Sequence, residues 1–339
     1  MTTSAAPVDP TRRAALLSIK LRALVSDHLE PDALPSVADS QAGASFGRGA
    51  ALIVGDCAWV LLDEQPERGL GAALAWATRH SDVRSLAVIA EASTGILARR
   101  AALFEMPIAV WQAQGRSLVA ANHEPYPVSD AIDPAHEIWR AVIEQGGAEP
   151  VEEHGVLAGE IRGLEVCRVV TDAYSGEVRL EVGVGAHDRE SFMMLHGNKP
   201  TAEALAGVVD AVSGHRQVDA PLHPLNRLGA ERFLRWLAIN DPSRVGAVNL
   251  RSADPPVPRP NLKDPIPCVA VGETANGAAL VAVCSVGIDL DLVPFALDAR
   301  EMYGADAELV LVVPERDASP VTQRVAALAR GSISVLTWA

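Results

Sequence analysis

The chain has 339 residues, of which 49% are hydrophobic, and its formal net charge is −14 at pH 7. This length and apolar content predict a globular protein with two or three domains. The negative charge opposes general adsorption to nucleic acid or to anionic membranes, so any nucleic-acid contact must use a local basic patch. Lysine occurs at only three positions while arginine is abundant, which indicates a GC-rich bacterial genome.

The cysteines and the apolar runs bear on the cellular compartment. The cysteines are far apart in the chain and each lies inside an apolar run, which predicts reduced core residues rather than zinc ligands. They are Cys57, Cys167, Cys268 and Cys284. No apolar run reaches the roughly 20 residues of a membrane span, and no signal-peptide core precedes the first helix. We therefore expect a cytoplasmic protein without a membrane partner.

Apolar periodicity and proline content divide the chain into successive segments. These are an N-terminal helix and linker at 1–47, a first α/β unit at 48–121, a middle α/β region at 135–216, a helix with a proline-rich strap at 222–267, and a second α/β unit at 268–339. The first helix is predicted over 13–29. In the strap, six prolines fall within fourteen residues, and each fixes φ and removes an amide donor.

Two stretches near the ends of the chain share one order of elements. Residues 86–111 and 309–338 each predict an apolar strand, an acidic turn, a helix that carries arginine, and a second short strand. Glu91 and Glu315 follow the first strand of each stretch. A repeated unit of this kind constrains the fold. It predicts an α/β protein in which two similar strand–helix–strand units flank the middle α/β region.

This order of elements resembles the second half of restriction-endonuclease-like domains, with the Mrr-type domains as the nearest. The resemblance implies an α/β core in which a strand with Glu-x-Lys, together with a preceding aspartate, binds a divalent metal. The chain lacks that lysine, because the corresponding runs read LDEQ at 62–65, LEVG at 180–183 and VCS at 283–285. We therefore expect the two outer units to be catalytically inactive.

The densest group of polar residues lies in the middle region. Glu160, Glu165 and Glu181 fall on neighbouring strand-like runs, and several carboxylate oxygens are what a hard cation prefers. A site for Mg²⁺ or Mn²⁺ with a catalytic role is therefore predicted at these three residues. The period of a strand puts Glu160 and Glu165 on opposite faces unless residues 162–163 form a turn. The alternative is ordinary ion pairing with arginine on a solvated face.

His187 is a fourth candidate catalytic residue. It lies in a glycine-flanked stretch at 183–200 that predicts a loop and a short helix. Histidine titrates near neutrality, and Asp188 or Glu190 would orient its ring. The alternative is a surface loop whose apolar side chains cover the core.

Asp289 and Asp291 alternate with apolar residues, which predicts that they share one strand face. Two interpretations follow, a cation site at a sheet edge and, for Asp291, an N-cap of the next helix. The cap is favoured.

The motifs of dinucleotide-binding, P-loop, serine-hydrolase and zinc-protease sites are absent from the sequence.

The leading functional hypothesis is a degenerate, non-catalytic nuclease-like protein that binds a macromolecular partner, a protein or a nucleic acid, in DNA metabolism. The alternative is a metal-dependent nuclease or hydrolase whose site is Glu160, Glu165 and Glu181. A third hypothesis is a structural or regulatory protein that uses its acidic surface for protein contacts. Convergent carboxylates and a basic groove would favour the enzyme, and exposed apolar side chains would favour the binding protein.

Overall fold

A computed structural model describes residues 9–29, 47, 49–128, 131–196, 202–221, 223–258 and 266–339. The chain divides into two units. Unit 1 comprises Met1–Pro125, Leu290–Asp298 and Ser319–Ser332, and unit 2 comprises Tyr126–Asp289, Ala299–Ala318 and Ile333–Ala339. The protein belongs to the predicted mixed α/β class. Within the described ranges, no helix combines the length and the apolar content that crossing a membrane requires.

The strands form three sheets. In chain order they are β1 Gly49–Val54, β2 Cys57–Leu62, β3 Ser85–Ala90, β4 Ile108–Gln114, β5 Ser117–Ala120, β6 Glu149–Glu153, β7 Val156–Ile161, β8 Leu164–Thr171, β9 Val178–Val182, β10 Ala247–Ala253, β11 Cys268–Thr274, β12 Ala279–Cys284, β13 Glu308–Pro314 and β14 Ser334–Trp338.

The α-helices in chain order are α1 Pro10–His28, α2 Leu70–Ala77, α3 Thr94–Ala101, α4 Pro134–Glu137, α5 Arg140–Gln145, α6 Ala186–His196, α7 Ala202–Ser213, α8 Pro224–Arg227, α9 Ala230–Asn240, α10 Leu292–Tyr303 and α11 Pro320–Ala326. Short 3₁₀ turns occur at Pro66–Arg68, Gly214–Arg216, Pro242–Val245 and Glu315–Asp317.

The sheet of unit 1 has the strand order β1-β2-β3-β4-β5. β1 and β2 form an antiparallel hairpin, as two apolar runs on either side of the Gly55–Asp56 turn predict, and Gly55 has a φ of +60°. β2, β3 and β4 run parallel, and β5 returns antiparallel to β4. Helices α2 and α3 supply the crossovers that parallel neighbours require.

Helix α1 packs on one face of this sheet and begins earlier than the predicted residue 13. It starts at Pro10 because the Asp9 side chain accepts a hydrogen bond from the Thr11 N–H, and because proline suits the first helical position. The residues that α1 buries in the core are Leu21, Leu24 and Val25. The predicted linker after it lies largely at 30–46, outside the described residues.

Unit 2 contains two sheets. In the order β10-β11-β12-β13-β14, the first three strands are antiparallel neighbours and the last three are parallel neighbours. Residues 86–111 contain most of β3, all of α3 and the first part of β4, and residues 309–338 contain most of β13 with α11 and β14. Both stretches thus contribute strands that pair in parallel across a helix. The sheet β6-β7-β8-β9 is antiparallel throughout.

Some elements differ from the prediction. The sequence at 135–145 predicts one helix, and the structure has two short ones there, α4 and α5. Strand β10 was not predicted, because its exposure does not alternate regularly along the strand. The proline-rich strap is described only in part, since residues 259–265 lie outside the described ranges.

The placement of Asp289 and Asp291 on one strand face is wrong. Both residues lie in the connection between β12 and α10. Asp291 belongs to unit 1, where its buried carboxylate accepts hydrogen bonds from the Gly71 N–H at 3.1 Å and from the Arg100 guanidinium at 2.7 Å. Asp291 therefore acts as a buried acceptor, which accounts for its carboxylate without a cation.

A second carboxylate of unit 1, Asp298, completes a buried ion cluster. Arg99 donates to both of its oxygens, at 2.7 and 3.0 Å, and Arg100 donates to one of them at 3.1 Å. Asp298 is fully buried and both arginines are more than nine-tenths buried. The arginines that mark helix α3 in the sequence thus pair with acidic residues of α10 and of the connection before it. A buried charge requires such a partner, because desolvation is expensive.

The close approach at Gly71 gives a testable consequence. A Cβ atom built on Gly71 would lie 1.8 Å from the carbonyl oxygen of Leu290, so we expect Gly71→Ala to lower the free energy of unfolding by about 2–3 kcal/mol through overpacking. The matched control is Gly207→Ala in α7, where the Cβ meets nothing within 4 Å and alanine should raise stability by up to about 1 kcal/mol. Urea unfolding followed by circular dichroism measures both. Equal effects in the two variants would contradict the close contact.

Candidate functional site

Glu160 and Glu165 face each other at the end of the β7–β8 hairpin. They are direct partners in the antiparallel register. The two-residue turn consists of Arg162 and Gly163, with φ of +46° and +78°, as expected for a tight hairpin turn of the I′ type. The condition for the two glutamates to share a face, a turn at 162–163, is therefore met.

Contacts with the segment around helix α9 account for this turn. Arg162, a non-glycine residue with positive φ, donates to the main-chain oxygen of Arg216 at 3.1 Å. Gly163 packs so closely on α9 that an added Cβ would lie 2.3 Å from the carbonyl carbon of Arg232. Only glycine fits that position, because it combines positive φ with a close backbone approach. The turn thus positions Glu160 and Glu165 next to α9.

Helix α9 brings two arginines to these carboxylates. Arg232 and Arg235 are three positions apart and so lie on one helix face. Arg232 donates to Glu160 at 2.5 Å and to Glu153 at 3.0 Å, while Arg235 donates to Glu153 at 3.4 Å. Burial alone would lower the pKa of Arg232, but Glu160 and Glu153 hold it above its ordinary value. The guanidinium therefore remains charged.

Arginines on the sheet and on helix α6 neutralise Glu165 and Glu181. Arg168 donates to both oxygens of Glu165, at 2.7 and 2.9 Å, and Arg189 adds a third bond at 3.2 Å. A β-bulge between Glu165 and Arg168 accounts for side chains three positions apart meeting on one strand. Glu181 accepts from Arg179 at 3.0 Å and lies 3.5 Å from the Nε of Arg189.

We call this group the glutamate–arginine cluster. Its members are Glu153, Glu160, Glu165, Glu181, Arg168, Arg179, Arg189, Arg232 and Arg235. Every carboxylate in it contacts at least one guanidinium, and Glu160 and Glu165 are almost completely buried. Charge-assisted pairs with this geometry are strong and directional.

This pairing bears on the predicted metal site at Glu160, Glu165 and Glu181. Guanidinium groups occupy oxygen atoms that a cation would need, and they cancel the negative charge that would attract it. In the part of the chain that the structure describes, no three His, Cys, Asp or Glu side chains group in a way that could hold a metal ion. The geometry therefore favours the ion-pair alternative, and the metal and catalytic roles of these glutamates stay predictions.

His187 lies near the start of helix α6. The structure has the predicted loop and helix, with bends at 183–185 followed by Ala186–His196, and residues 197–200 lie outside the described residues. His187 is exposed, and neither Asp188 nor Glu190 makes a side-chain hydrogen bond with a described residue. Asp188 follows His187 directly, and adjacent helix positions point in different directions, whereas Glu190 lies at i+3 on the same side of the helix and still makes no bond to the ring. Among the described residues, neither Asp188 nor Glu190 orients the ring, and the catalytic role of His187 stays a prediction.

A cavity of about 240 Å³ lies at the cluster. Its polar walls are Glu153, His154, Glu160, Glu165, Arg168 and Arg232. Cys167 is completely buried on β8, and burial raises the pKa of its thiol to about 12. It is therefore protonated at neutral pH and is not an activated nucleophile. The cavity presents paired charges and no activated group among its described lining residues.

The arginines of α9 were not among the predicted site residues. Their signal in the sequence is a pair of arginines three apart within the amphipathic run at 230–239. Such spacing shows that they share a face, but it does not show whether that face is buried. The structure shows both side chains more than nine-tenths buried.

Comparisons of the chain with family models, with curated proteins and with solved structures find no match.

Removing one partner from the cluster should destabilise the fold. We expect Arg232→Met to lower the free energy of unfolding by about 3–5 kcal/mol, because it leaves Glu160 buried without its closest partner. The double variant Arg232→Met/Glu160→Leu should recover part of that loss, since it removes the uncompensated charge. Urea unfolding measures both.

The control for this prediction is Arg13→Met, which removes exposed ion pairs with Asp63 and Glu64. Its effect should be far smaller, because solvent screens exposed pairs. A loss in Arg232→Met no larger than in Arg13→Met would show that the buried pairs do not hold the helix.

Proposed function

We propose that this chain is a non-catalytic binding or scaffold protein, derived from nuclease-like α/β units that have lost their metal chemistry, and that its partner is a protein. The observation that carries the proposal is the pairing of Glu160, Glu165 and Glu181 with arginine side chains. We also propose that the outer units are related copies, on the basis of their similar sequences and their shared parallel strands at 86–111 and 309–338.

The energetics of the cluster oppose a metal-dependent enzyme. A cation would have to displace buried guanidinium groups from Glu160 and Glu165, and breaking a buried ion pair costs about 3–5 kcal/mol. That cost would weaken metal binding by roughly a hundredfold or more. The lysine that accompanies the metal in the resembling endonucleases is also missing from the chain. Both points support a protein that keeps the fold without the reaction.

The charge and the surface support a protein partner. A net charge of −14 opposes binding to a polyanion, and the arginines of the cluster are already neutralised by glutamates. Several large apolar side chains of unit 2 are exposed, among them Ile138, Tyr174 and Met194. Aromatic residues and methionine are enriched at protein interfaces.

Calorimetric titration with Mg²⁺ and then with Mn²⁺ tests this proposal. We expect no stoichiometric binding of either ion to the wild-type protein and no cleavage of supercoiled plasmid in their presence. The variants are Glu181→Ala, in the cluster, and Glu315→Ala, an exposed glutamate outside it. Stoichiometric binding that Glu181→Ala abolishes and Glu315→Ala preserves would contradict the proposal and establish the metal-dependent alternative.

A gel-shift titration with duplex DNA at physiological salt tests the partner class. No shift is expected, since the chain is acidic. A shift that weakens steeply with salt would replace the protein partner by nucleic acid, because counterion release gives that dependence.

A further inference from the structure

Unit 1 has a cavity at the C-terminal end of helix α1, which we call the α1 cavity. Its volume is about 540 Å³, within the range of small-molecule sites. The helix ends at His28 because Leu29 has an extended backbone, and His28 belongs to the wall of the cavity. Small-molecule sites are lined mainly by apolar and aromatic side chains. The large side chains of this kind in the wall are Trp59, Phe104, Met106, Ile108 and Trp111.

The floor of the α1 cavity is formed by small side chains on neighbouring strands. Trp59, Ala87 and Ala109 are pairing partners across the parallel strands β2, β3 and β4, so their side chains lie on one face of the sheet. Ala109 is exposed, although β4 has a neighbouring strand on each side. An exposed alanine inside a sheet marks a part of the face that no described element covers. A ligand can therefore reach the surface of the sheet at this point.

Aromatic rings form the wall between this floor and the end of α1. The His28 ring meets the Trp111 ring edge-on with the centroids 4.4 Å apart, and it meets the Trp59 ring with the centroids 5.8 Å apart. These contacts hold the indole rings in place, so little side-chain freedom is lost when a ligand binds. Trp111 is only half-buried, and an aromatic ligand would gain stacked or edge-to-face contacts with its accessible part.

The charge of the wall selects among ligands. The described residues that line the α1 cavity include no carboxylate, although the net charge of the chain is −14. They include Arg330, whose Nε donates to the carbonyl oxygen of Phe104 at 3.1 Å. By contrast, a cavity of about 430 Å³ beside the β6–β7 turn in unit 2 has Glu152, Glu153 and Asp254 in its wall. A cationic ligand would thus meet a like charge in the α1 cavity and no opposite one among its described lining residues.

We propose that the α1 cavity binds an uncharged, planar aromatic molecule. Its ring system lies on the floor at Ala87 and Ala109 and contacts the Trp111 indole. A polar substituent bonds to the His28 ring, which is exposed and makes no hydrogen bond with a described residue. This site goes beyond the proposed partner-binding function and does not depend on it.

Calorimetry of the full chain with 2-naphthol tests the proposal. The first control is 1-adamantanol, which has the same number of carbon atoms and the same hydroxyl group but is not planar. The second is 2-naphthylmethylamine, which carries the same rings and a positive charge. We expect one equivalent of 2-naphthol to bind saturably, and each control to bind at least about tenfold more weakly. Equal affinity for either control, or no saturable binding of 2-naphthol, would overturn the proposal.

The thiol of Cys57 locates the bound ligand. Cys57 lies in the wall of the α1 cavity and is partly exposed, whereas the other cysteines, Cys167, Cys268 and Cys284, are completely buried. Burial raises the pKa of the Cys57 thiol, so alkylation by iodoacetamide is followed at alkaline pH, where more of the thiolate is present. In 2-naphthol the rate of alkylation at Cys57 should fall in proportion to the fraction of free protein. An unchanged rate at saturation would show that the ligand binds elsewhere.

A variant that fills the floor gives a second test. Ala109→Phe should weaken the binding of 2-naphthol at least about tenfold, the equivalent of 1.4 kcal/mol. Because Ala109 is exposed, the larger side chain enters the cavity and not the core, and circular dichroism verifies the fold.

Val119→Phe is the matched control. Val119 is an exposed residue of the neighbouring strand β5 and is not among the described residues that line the α1 cavity. Its replacement should leave the affinity for 2-naphthol unchanged. Binding that Ala109→Phe leaves intact, or that both variants weaken equally, would show that the ligand does not lie on this floor.

Discussion

The structure depends on one physical constraint, which is that the buried carboxylates Asp291, Asp298, Glu160 and Glu165 each meet a guanidinium. In unit 1, Asp298 is completely buried and is bonded by Arg99 and Arg100. In unit 2, Glu160 and Glu165 are almost completely buried and pair with Arg232 and Arg168. Taking a single ion out of water costs several kcal/mol, so neither set of charges can be buried without the other. Each cluster consequently fixes where a helix lies on its neighbours.

Local apolar patterns decide which parts of the fold could be predicted from the sequence. The β1–β2 hairpin and the order of strands around α3 follow from local apolar patterns, and these patterns predict them correctly. Strand β10 and the length of helix α6 could not be predicted in this way, because their side-chain patterns are not clearly periodic. The periodic spacing of apolar residues indicates which face of a helix or strand is buried. Where burial along the element is irregular, that spacing is absent and the element cannot be predicted from it.

The candidate site could be predicted only in part, because its pairs are distant in sequence. The sequence places Glu160 and Glu165 in one region, and the turn at 162–163 brings them together as that spacing allows. Arg232 is 72 positions from Glu160, and no spacing rule connects the two residues. The sequence therefore indicates the carboxylates without the partners that decide their chemistry. A group of acidic residues can ligate a cation, and the same residues form ion pairs that stabilise the fold when arginines lie beside them.

The cavity at the glutamate–arginine cluster and the cavity beside the β6–β7 turn differ in this balance of charge. At the smaller cavity, each glutamate has a guanidinium partner, so the wall has little electrostatic preference for a further ion. At the cavity beside the β6–β7 turn, neither the Arg251 guanidinium nor His154 Nε2 has a hydrogen-bond partner among the described residues. Glycine would adopt the positive φ of His154 without a steric penalty. The Asp254 carboxylate accepts from the His154 N–H and holds the turn in this conformation, so a carboxylate that accepts from a main-chain N–H fixes the backbone there, as Asp291 does at Gly71.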